Sequence, residues 1–596
     1  MNILLTAINA KYIHSNLAVY SLRACAGEYR DAVELAEYTI NNQKDYILEE
    51  LYKRKPDVLC FSCYIWNIDY VTDIAREYKK LCPSVPIWVG GPEVSYEVEA
   101  FLRENPYIDG VMIGEGEDTF RELCGYYAHQ KRLIDIAGIA FRKKSADGKA
   151  GEIVFTSPRP IKDMSEIPFC YDTLDDFSNR IIYYESSRGC PFSCSYCLSS
   201  VDKTLRFRDT EIVKRELKFF IDQKVPQIKF VDRTFNCNHA HAMELWRFIK
   251  ANDNGVTNFH FEISADLLNQ EELELISDMR PGLIQLEIGV QSTNEVTIKE
   301  IHRTMKLERL KEVVKLIQSG NNIHEHLDLI AGLPYEDYDS FGRSFDEIYE
   351  LKPNQLQLGF LKVLKGSYMF EHAAEYGIVY HDKPPYEVMS TKWLSFDDVI
   401  KIKRVEDMLE VYYNSGQFEI TMKLMECIFD SAFEFFQELG DFYEANGYFG
   451  MSHSRIRRCE ILLEFLALYL HGCDNDAMTS VVLSVNAGDR DNTDFDENAQ
   501  IYSMIQESLI FDLYYRENCK SRPRWATDIG SFKHMTHAYC KNGKLSHVEP
   551  FHYIFPDKHT RKLDELPKYH KEPVWALFHY DMRDPLDHQA LVEYIE

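Results

Sequence analysis

Short apolar runs alternate with amphipathic helical stretches in two successive series along this chain, and the alternation stops near residue 392. A strand-helix repeat of that kind buries its strands in a parallel sheet covered by the helices, so the pattern restricts the architecture more than any composition can. The first series has strand-like runs at 3–7, 33–36, 58–62, 87–90 and 110–113. It predicts a Rossmann-like, doubly wound α/β domain over residues 1–137. Two apolar stretches flank Asp147-Gly148, which reads as a β-hairpin, and a Pro-bearing linker carries the segment 138–175 to the second series. That series runs through 181–185, 227–231, 258–263, 283–287, 323–329 and 355–360. Six units predict a partial (β/α)6 barrel of TIM type over residues 176–392, with its chemistry at the C-terminal strand ends. Residues 393–596 turn to long aromatic-rich helical stretches, such as 418–439 and 456–470, and predict a mainly helical domain with short strand-like runs near 574–580. Length demands this division, since one core serves at most ~250–300 residues.

Charge and composition remove several function classes. With 67 Lys plus Arg against 95 Asp plus Glu, the net charge is -28, a field that repels phosphate backbones and disfavours nucleic acid as a partner. No apolar run is long enough for a membrane span, and the start Met1-Asn2-Ile3-Leu4-Leu5 lacks signal-peptide character, so the expected compartment is the cytoplasm. Fifteen cysteines, an odd number in scattered spacing, fit a reduced compartment. The acidic stretch 474–500, with Asp489, Asp491, Asp494 and Asp496, lacks EF-hand spacing and reads as a solvated loop. Histidines of the last ~55 residues lack tight ligand spacing and read as surface or core groups.

One cysteine group breaks the scatter. Cys190, Cys194 and Cys197 form CxxxCxxC directly after the first strand of the second series. Three thiolates on one loop can hold three irons of a 4Fe-4S cube and leave the fourth iron open, whereas structural zinc normally takes four ligands. Cys60 and Cys63 make a CxxC at a strand end, but alternation along a strand puts them near opposite faces, which suits buried structural residues. Cys237 follows the second barrel strand, at the same end as the cysteine loop.

This loop, Ser187-Arg188-Gly189-Cys190-Pro191-Phe192-Ser193-Cys194-Ser195-Tyr196-Cys197, resembles that of the radical S-adenosylmethionine (SAM) superfamily, in which the open iron chelates SAM. Further matches follow in order: Asp232 in Phe230-Val231-Asp232-Arg233, Glu262 in Phe261-Glu262-Ile263, Gln291 in Gly289-Val290-Gln291, Arg303 in Ile301-His302-Arg303, and Asp328 opening Asp328-Leu329-Ile330-Ala331-Gly332-Leu333-Pro334. The resemblance implies that Tyr196, Asp232, Glu262, Gln291, Arg303 and Asp328 contact SAM. The segment at Asp232 departs from the family in lacking glycines.

The first domain, with Gly90-Gly91-Pro92-Glu93 and Gly114-Glu115-Gly116-Glu117 after its fourth and fifth strands, resembles the cobalamin-binding domain of cobalamin-dependent radical SAM enzymes. Ser62, Gly90, Gly91, Glu93, Gly114, Glu115 and Gly116 are its implied cobalamin contacts. No DxHxxG occurs, and His14 in Lys11-Tyr12-Ile13-His14 does not match that motif, so base-off cobalamin is expected. The family implies methylation of an unactivated carbon, in which one SAM provides the methyl group carried by cobalamin and a second yields the 5′-deoxyadenosyl radical. The alternative is a non-methylating oxidation, cyclisation or rearrangement. Methylthio transfer to tRNA fits less well, because Cys25, Cys60, Cys63 and Cys82 do not make a second cluster set, and a cobalamin carrier or sensor needs no CxxxCxxC. The resemblance also implies a low-potential electron donor of flavodoxin or ferredoxin type. The substrate is not legible, and the C-terminal third is expected to cap the barrel or present that substrate.

Overall fold

A computed structural model describes residues 1–143, 151–471, 497–540, 545–556, 563 and 565–595. Its first sheet runs β1 (Ile3–Asn9), β2 (Val33–Thr39), β3 (Val58–Ser62), β4 (Ile87–Gly90) and β5 (Gly110–Met112), then β6 (Ile139–Arg142) and β7 (Ile153–Phe155). Every residue of β1 is buried, as a central strand covered on both faces requires. The order is β2-β1-β3-β4-β5-β6-β7, parallel through β5 and antiparallel thereafter. The chain leaves β1 toward β2 on one side and toward β3 on the other, so the crevice at the β1 and β3 ends is the ligand position of such sheets. The expected hairpin is the β6-β7 pair, while Asp147-Gly148 lies outside the described residues.

The second sheet comprises β8 (Ile182–Tyr184), β11 (Gln227–Phe230), β12 (Asn258–Ile263), β13 (Ile284–Gln291), β14 (His324–Ala331) and β15 (Gln355–Phe360), all parallel in the order β15-β14-β13-β12-β11-β8. Between β8 and β11 lies a short antiparallel ladder of β9 (Ser187–Arg188) and β10 (Arg206–Phe207). The barrel stays open at β15, on whose outer edge Asn414 accepts from Leu356 N at 3.0 Å and donates to Leu356 O at 2.8 Å, as a neighbouring strand would.

Helices Phe396–Leu409, Glu419–Met425, Ala432–Ala445, Arg455–His471 and Glu497–Arg516 follow, and their apolar faces join one core with the barrel. The stretch 418–439 is two helices and not one. Ser431 caps the second by accepting from Glu434 N at 3.0 Å and donates to Asp346 of the barrel at 2.8 Å, so a polar tether stops what the apolar pattern alone would continue. A small pair, β16 (Val379–Tyr380) and β17 (Val388–Ser390), precedes these helices. The run 574–580 is the middle of a 15-residue strand, β19 (Tyr569–Arg583), flanked antiparallel by β18 (Ser546–Tyr553) and β20 (Ala590–Ile595). Asp489, Asp491, Asp494 and Asp496 lie outside the described residues. Among those described, no helix is long and apolar enough to cross a membrane.

The two sheets meet through a single parallel bridge, His14 to Ile181. Ile181 N donates to Ile13 O at 2.8 Å, and Ser15 Oγ donates to Ile181 O at 2.8 Å. Arg180 pairs with the buried Glu37 at 2.6 Å across the same seam.

Candidate active site

The cysteine loop leaves the β9-β10 ladder at Gly189, whose φ of +90° and a Cβ position 2.6 Å from Thr204 O admit only glycine. Its far side is held by two main-chain bonds: Ser195 N donates to Ile301 O and Met369 N donates to Ser195 O, both at 2.9 Å. Cys190 and Cys194 are buried and Cys197 is half-buried. Burial raises the Cys190 thiol, and its neighbours Cys197 and Cys194 raise it further. Among the described residues no group of three or more His, Cys, Asp or Glu side chains is gathered as for a metal ion. The three thiols border one cavity of about 180 Å³, and thiolates are the ligands a 4Fe-4S cluster takes.

Tyr196, Glu262, Gln291, Arg303 and Asp328 line this cavity with the cysteines. Arg303 donates to Tyr196 Oη at 3.1 Å, toward Cys194 Sγ at 3.8 Å, and to Gly289 O. Gln291 sits at a register shift of β13 against β14, with φ +74°, and its side chain lies over Gly289, where a Cβ would be 2.3 Å from Gln291 Nε2. Gln291 Oε1 and Arg303 Nε are buried without hydrogen-bond partners, which fits a cavity shaped for a polar ligand. Asp328 pairs with His326 at 3.1 Å, and burial lifts its carboxyl above the ordinary range. Glu262 is paired with Arg233 at 2.7 Å.

Asp232 is placed apart from these residues. It does not line the cavity; its wholly buried carboxylate accepts from Ser186 N at 2.9 Å, Ser186 Oγ at 2.5 Å and Ser187 Oγ at 2.7 Å, and so fixes the strand that feeds the cysteine loop. The adjacent Arg233 takes the cavity position instead. Cys237 lines neither cavity, and burial, with the neighbouring Cys190, pushes its thiol up to about 11.

A second cavity of about 800 Å³ opens at the β1 and β3 ends, bordered by Asn9, Ser62, Gly90, Gly91, Gly114, Glu115 and Gly116 on one side and by Tyr183, Arg188, Lys229, Arg233 and Glu262 on the barrel side. Gly114, at φ +75°, has no atom within 4 Å of a Cβ position, and this open backbone suits close approach of a large planar ligand such as a corrin. The two acids of these turns are placed differently. Glu93 does not border the cavity; it accepts from Tyr386 Oη, between β16 and β17. Glu115 borders it but pairs with Arg206 at 2.5 Å and Arg188 at 3.3 Å; burial opposes ionisation, and the two arginines outweigh it and hold the carboxyl low. Arg188 also reaches Glu117 at 2.8 Å and Glu185 at 2.7 Å, tying the Gly114 turn to the strand before the cysteines. His14 borders the cavity, with Nδ1 2.7 Å from Tyr183 Oη, and burial lowers its pKa. Cys60 and Cys63 are buried in the cores on opposite faces of the sheet.

Sequence reading missed the barrel lumen. Ile228 and Phe230 of β11 and Phe259 and Phe261 of β12 pack outward into the core, while Lys229, His260 and Glu262 alternate with them. Glu287 accepts from Lys229 at 2.8 Å and lies 2.9 Å from His260; burial opposes its charge, and these two partners hold it far below the ordinary range. The signal was present as polar residues at every second position of the strands. Tyr64 and Trp66, stacked at 4.5 Å on the cavity border, were also missed, because aromatics in a loop carry no pattern.

Three family models match consecutive parts of the chain: a B12 binding domain over residues 3–124, the radical SAM superfamily over 184–348, and a protein of unknown function, DUF4080, over 374–589. The chain is 28% identical over 351 residues to the cobalamin-dependent radical SAM methyltransferase TokK of Streptomyces tokunonensis, a match covering 55% of this chain and 49% of that protein. It thus spans about half the length of the curated relatives it matches. Among solved structures, the cobalamin-dependent SAM radical enzyme OxsB with aqua-cobalamin and SAM bound superimposes with a TM-score of 0.53 at 15% identity, over 86% of this chain and 80% of that one. The methyltransferase TsrM from Kitasatospora setae, with cobalamin and a [4Fe-4S] cluster bound, gives 0.51 at 17% identity over 65% and 82%. In this chain a B12-binding domain thus precedes a radical SAM domain, on a fold shared with OxsB.

Proposed function

We propose that the chain methylates an unactivated carbon of its substrate under anaerobic conditions, using a 4Fe-4S cluster, SAM and cobalamin. The observation that carries this reading is that Arg233 and Glu262 border both cavities, so the cysteine side and the glycine-turn side share one reaction space. Bound there, cluster and SAM supply a radical able to take hydrogen from carbon, and cobalamin supplies a methyl carrier. The protein's own part is to bind, orient and exclude water. Cys190, Cys194 and Cys197 would hold the cluster; Tyr196, Glu262, Gln291, Arg303 and Asp328 would hold SAM; Ser62 and the backbone of Gly90, Gly91, Gly114 and Gly116 would receive cobalamin. In this reading residues 1–137 are the cobalamin domain, 138–175 a hairpin and linker, 176–392 the radical SAM barrel, and 393–596 the domain that closes the barrel's edge. Electrons would come from a low-potential flavodoxin or ferredoxin in the cytoplasm.

The test is an anaerobic incubation of reconstituted protein with cobalamin, a low-potential reductant and SAM bearing a deuterated methyl group, followed by mass spectrometry. Label in the cobalamin fraction together with S-adenosylhomocysteine is the expected result. 5′-Deoxyadenosine without that label would move the assignment to non-methylating oxidation or cyclisation, and a protein that retains no cobalamin would overturn the cofactor set.

A further inference from the structure

Where the barrel borders the larger cavity, its strands contribute polar side chains at alternate positions, Tyr183 from β8 and Lys229 from β11. Tyr183, Lys229 and His260 are register neighbours on β8, β11 and β12, and Tyr183 and Lys229 border the 800 Å³ cavity but not the cysteine cavity. Tyr183 and Lys229 therefore face the larger cavity, away from the thiols.

The acids nearby are already engaged. Glu185 accepts from Arg188 at 2.7 Å, Glu262 from Arg233 at 2.7 Å, and Glu287 is shared by Lys229 and His260. The capacity left over is donor capacity. An ammonium has three N–H groups, and Lys229 directs one to Glu287 at 2.8 Å; Glu287 has His260 as a second partner at 2.9 Å and keeps it if Lys229 turns toward the cavity. Donors left over beside engaged acids recognise acceptor-rich, negatively charged groups.

We propose that Lys229, with Tyr183 beside it, binds an anionic oxygen group of the substrate, a carboxylate or a phosphate. The substrate is then a polar anionic small molecule. The inference rests on the proposed function, because it sets the substrate between the two cofactors.

Inorganic phosphate is the probe, added to holoenzyme whose cobalamin is reduced to paramagnetic Co(II) and whose cobalamin and cluster contents are read from the absorption spectrum. Phosphorus NMR should show phosphate relaxation enhanced relative to the Co(III) form, with affinity about tenfold weaker in Lys229→Met, as for loss of one charge-assisted hydrogen bond, and largely kept in Lys229→Arg. Lys214→Met, on the outer surface, should match wild type. Carbon-labelled acetate run in parallel tells a carboxylate site from a phosphate site. No enhancement of either probe in wild type, or equal enhancement in Lys229→Met, would overturn the assignment. A protein that loads no cobalamin would be seen in the spectrum and would remove the proposed function, and this inference with it.

Discussion

A carboxylate withdrawn from water loses much of its reason to ionise, and Asp232 is wholly buried. Burial pushes its pKa up to about 7, against the pull of the donors at Ser186 and Ser187. The folded value lies above that of an unfolded aspartate, so the linked stability is fully present below about pH 4 and is lost as pH rises through about 7. Against Asp232→Asn, whose amide does not titrate, wild type should therefore gain about 2 kcal/mol on moving from pH 8 to pH 5, measured by urea unfolding of the apo chain. Equal differences at both pH values would show that the carboxylate stays charged. Asp232 also marks the limit of reading single residues. Glu262, Gln291, Arg303 and Asp328 do border the cysteine cavity. Asp232 and Glu93 come just after strands, and their partners at Ser186 and Tyr386 lie 46 and 293 positions away, beyond any local pattern.

At the scale of elements, the two glycine turns look alike in sequence and differ in what surrounds them. A Cβ on Gly91 would lie 2.4 Å from Cys63 O at φ +121°, whereas one on Gly114 would meet nothing within 4 Å at φ +75°. Gly91→Ala should cost about 3 kcal/mol through backbone collision and strain. Gly114→Ala should cost about 1 kcal/mol, the price of a left-handed alanine, yet place a methyl group in the cavity. Thermal unfolding of both apo variants, with cobalamin binding by equilibrium dialysis, separates them: Gly114→Ala should fold and bind weakly, and normal binding would argue that the corrin approaches elsewhere. Strand positions were legible because apolar runs are local; β3, β4, β12 and β15 begin and end where the sequence indicates. The polar alternation within them was legible too, but an apolar run conceals a period of two unless each strand is assigned an inner face. The break at Ser431 was not legible, since it depends on Asp346 of another element.

Across the whole molecule, the first sheet and the barrel are joined by ion pairs concentrated around the reaction space. Arg188 and Arg206 hold Glu115 and Glu117, and Arg180 holds Glu37, so the Gly114 turn and the cysteine loop are fixed to each other by half-buried charge pairs less screened by salt than surface ones. Such pairs cross 71 to 143 positions of sequence, which is why the division into parts could be read and their docking could not. The cysteine loop is likewise set by the β9-β10 ladder at one side and by main-chain contacts to Ile301 and Met369 at the other. Chelator treatment should accordingly leave far-UV circular dichroism and the thermal transition nearly unchanged, and a collapse of either would show that iron holds the fold.

The two main-chain contacts of Ser195 have a mechanical consequence. Ser195 sits between Cys194 and Cys197 and is pinned to Ile301 and Met369, so the thiols ride on the barrel as one body, and a change that shifts either anchor displaces them together.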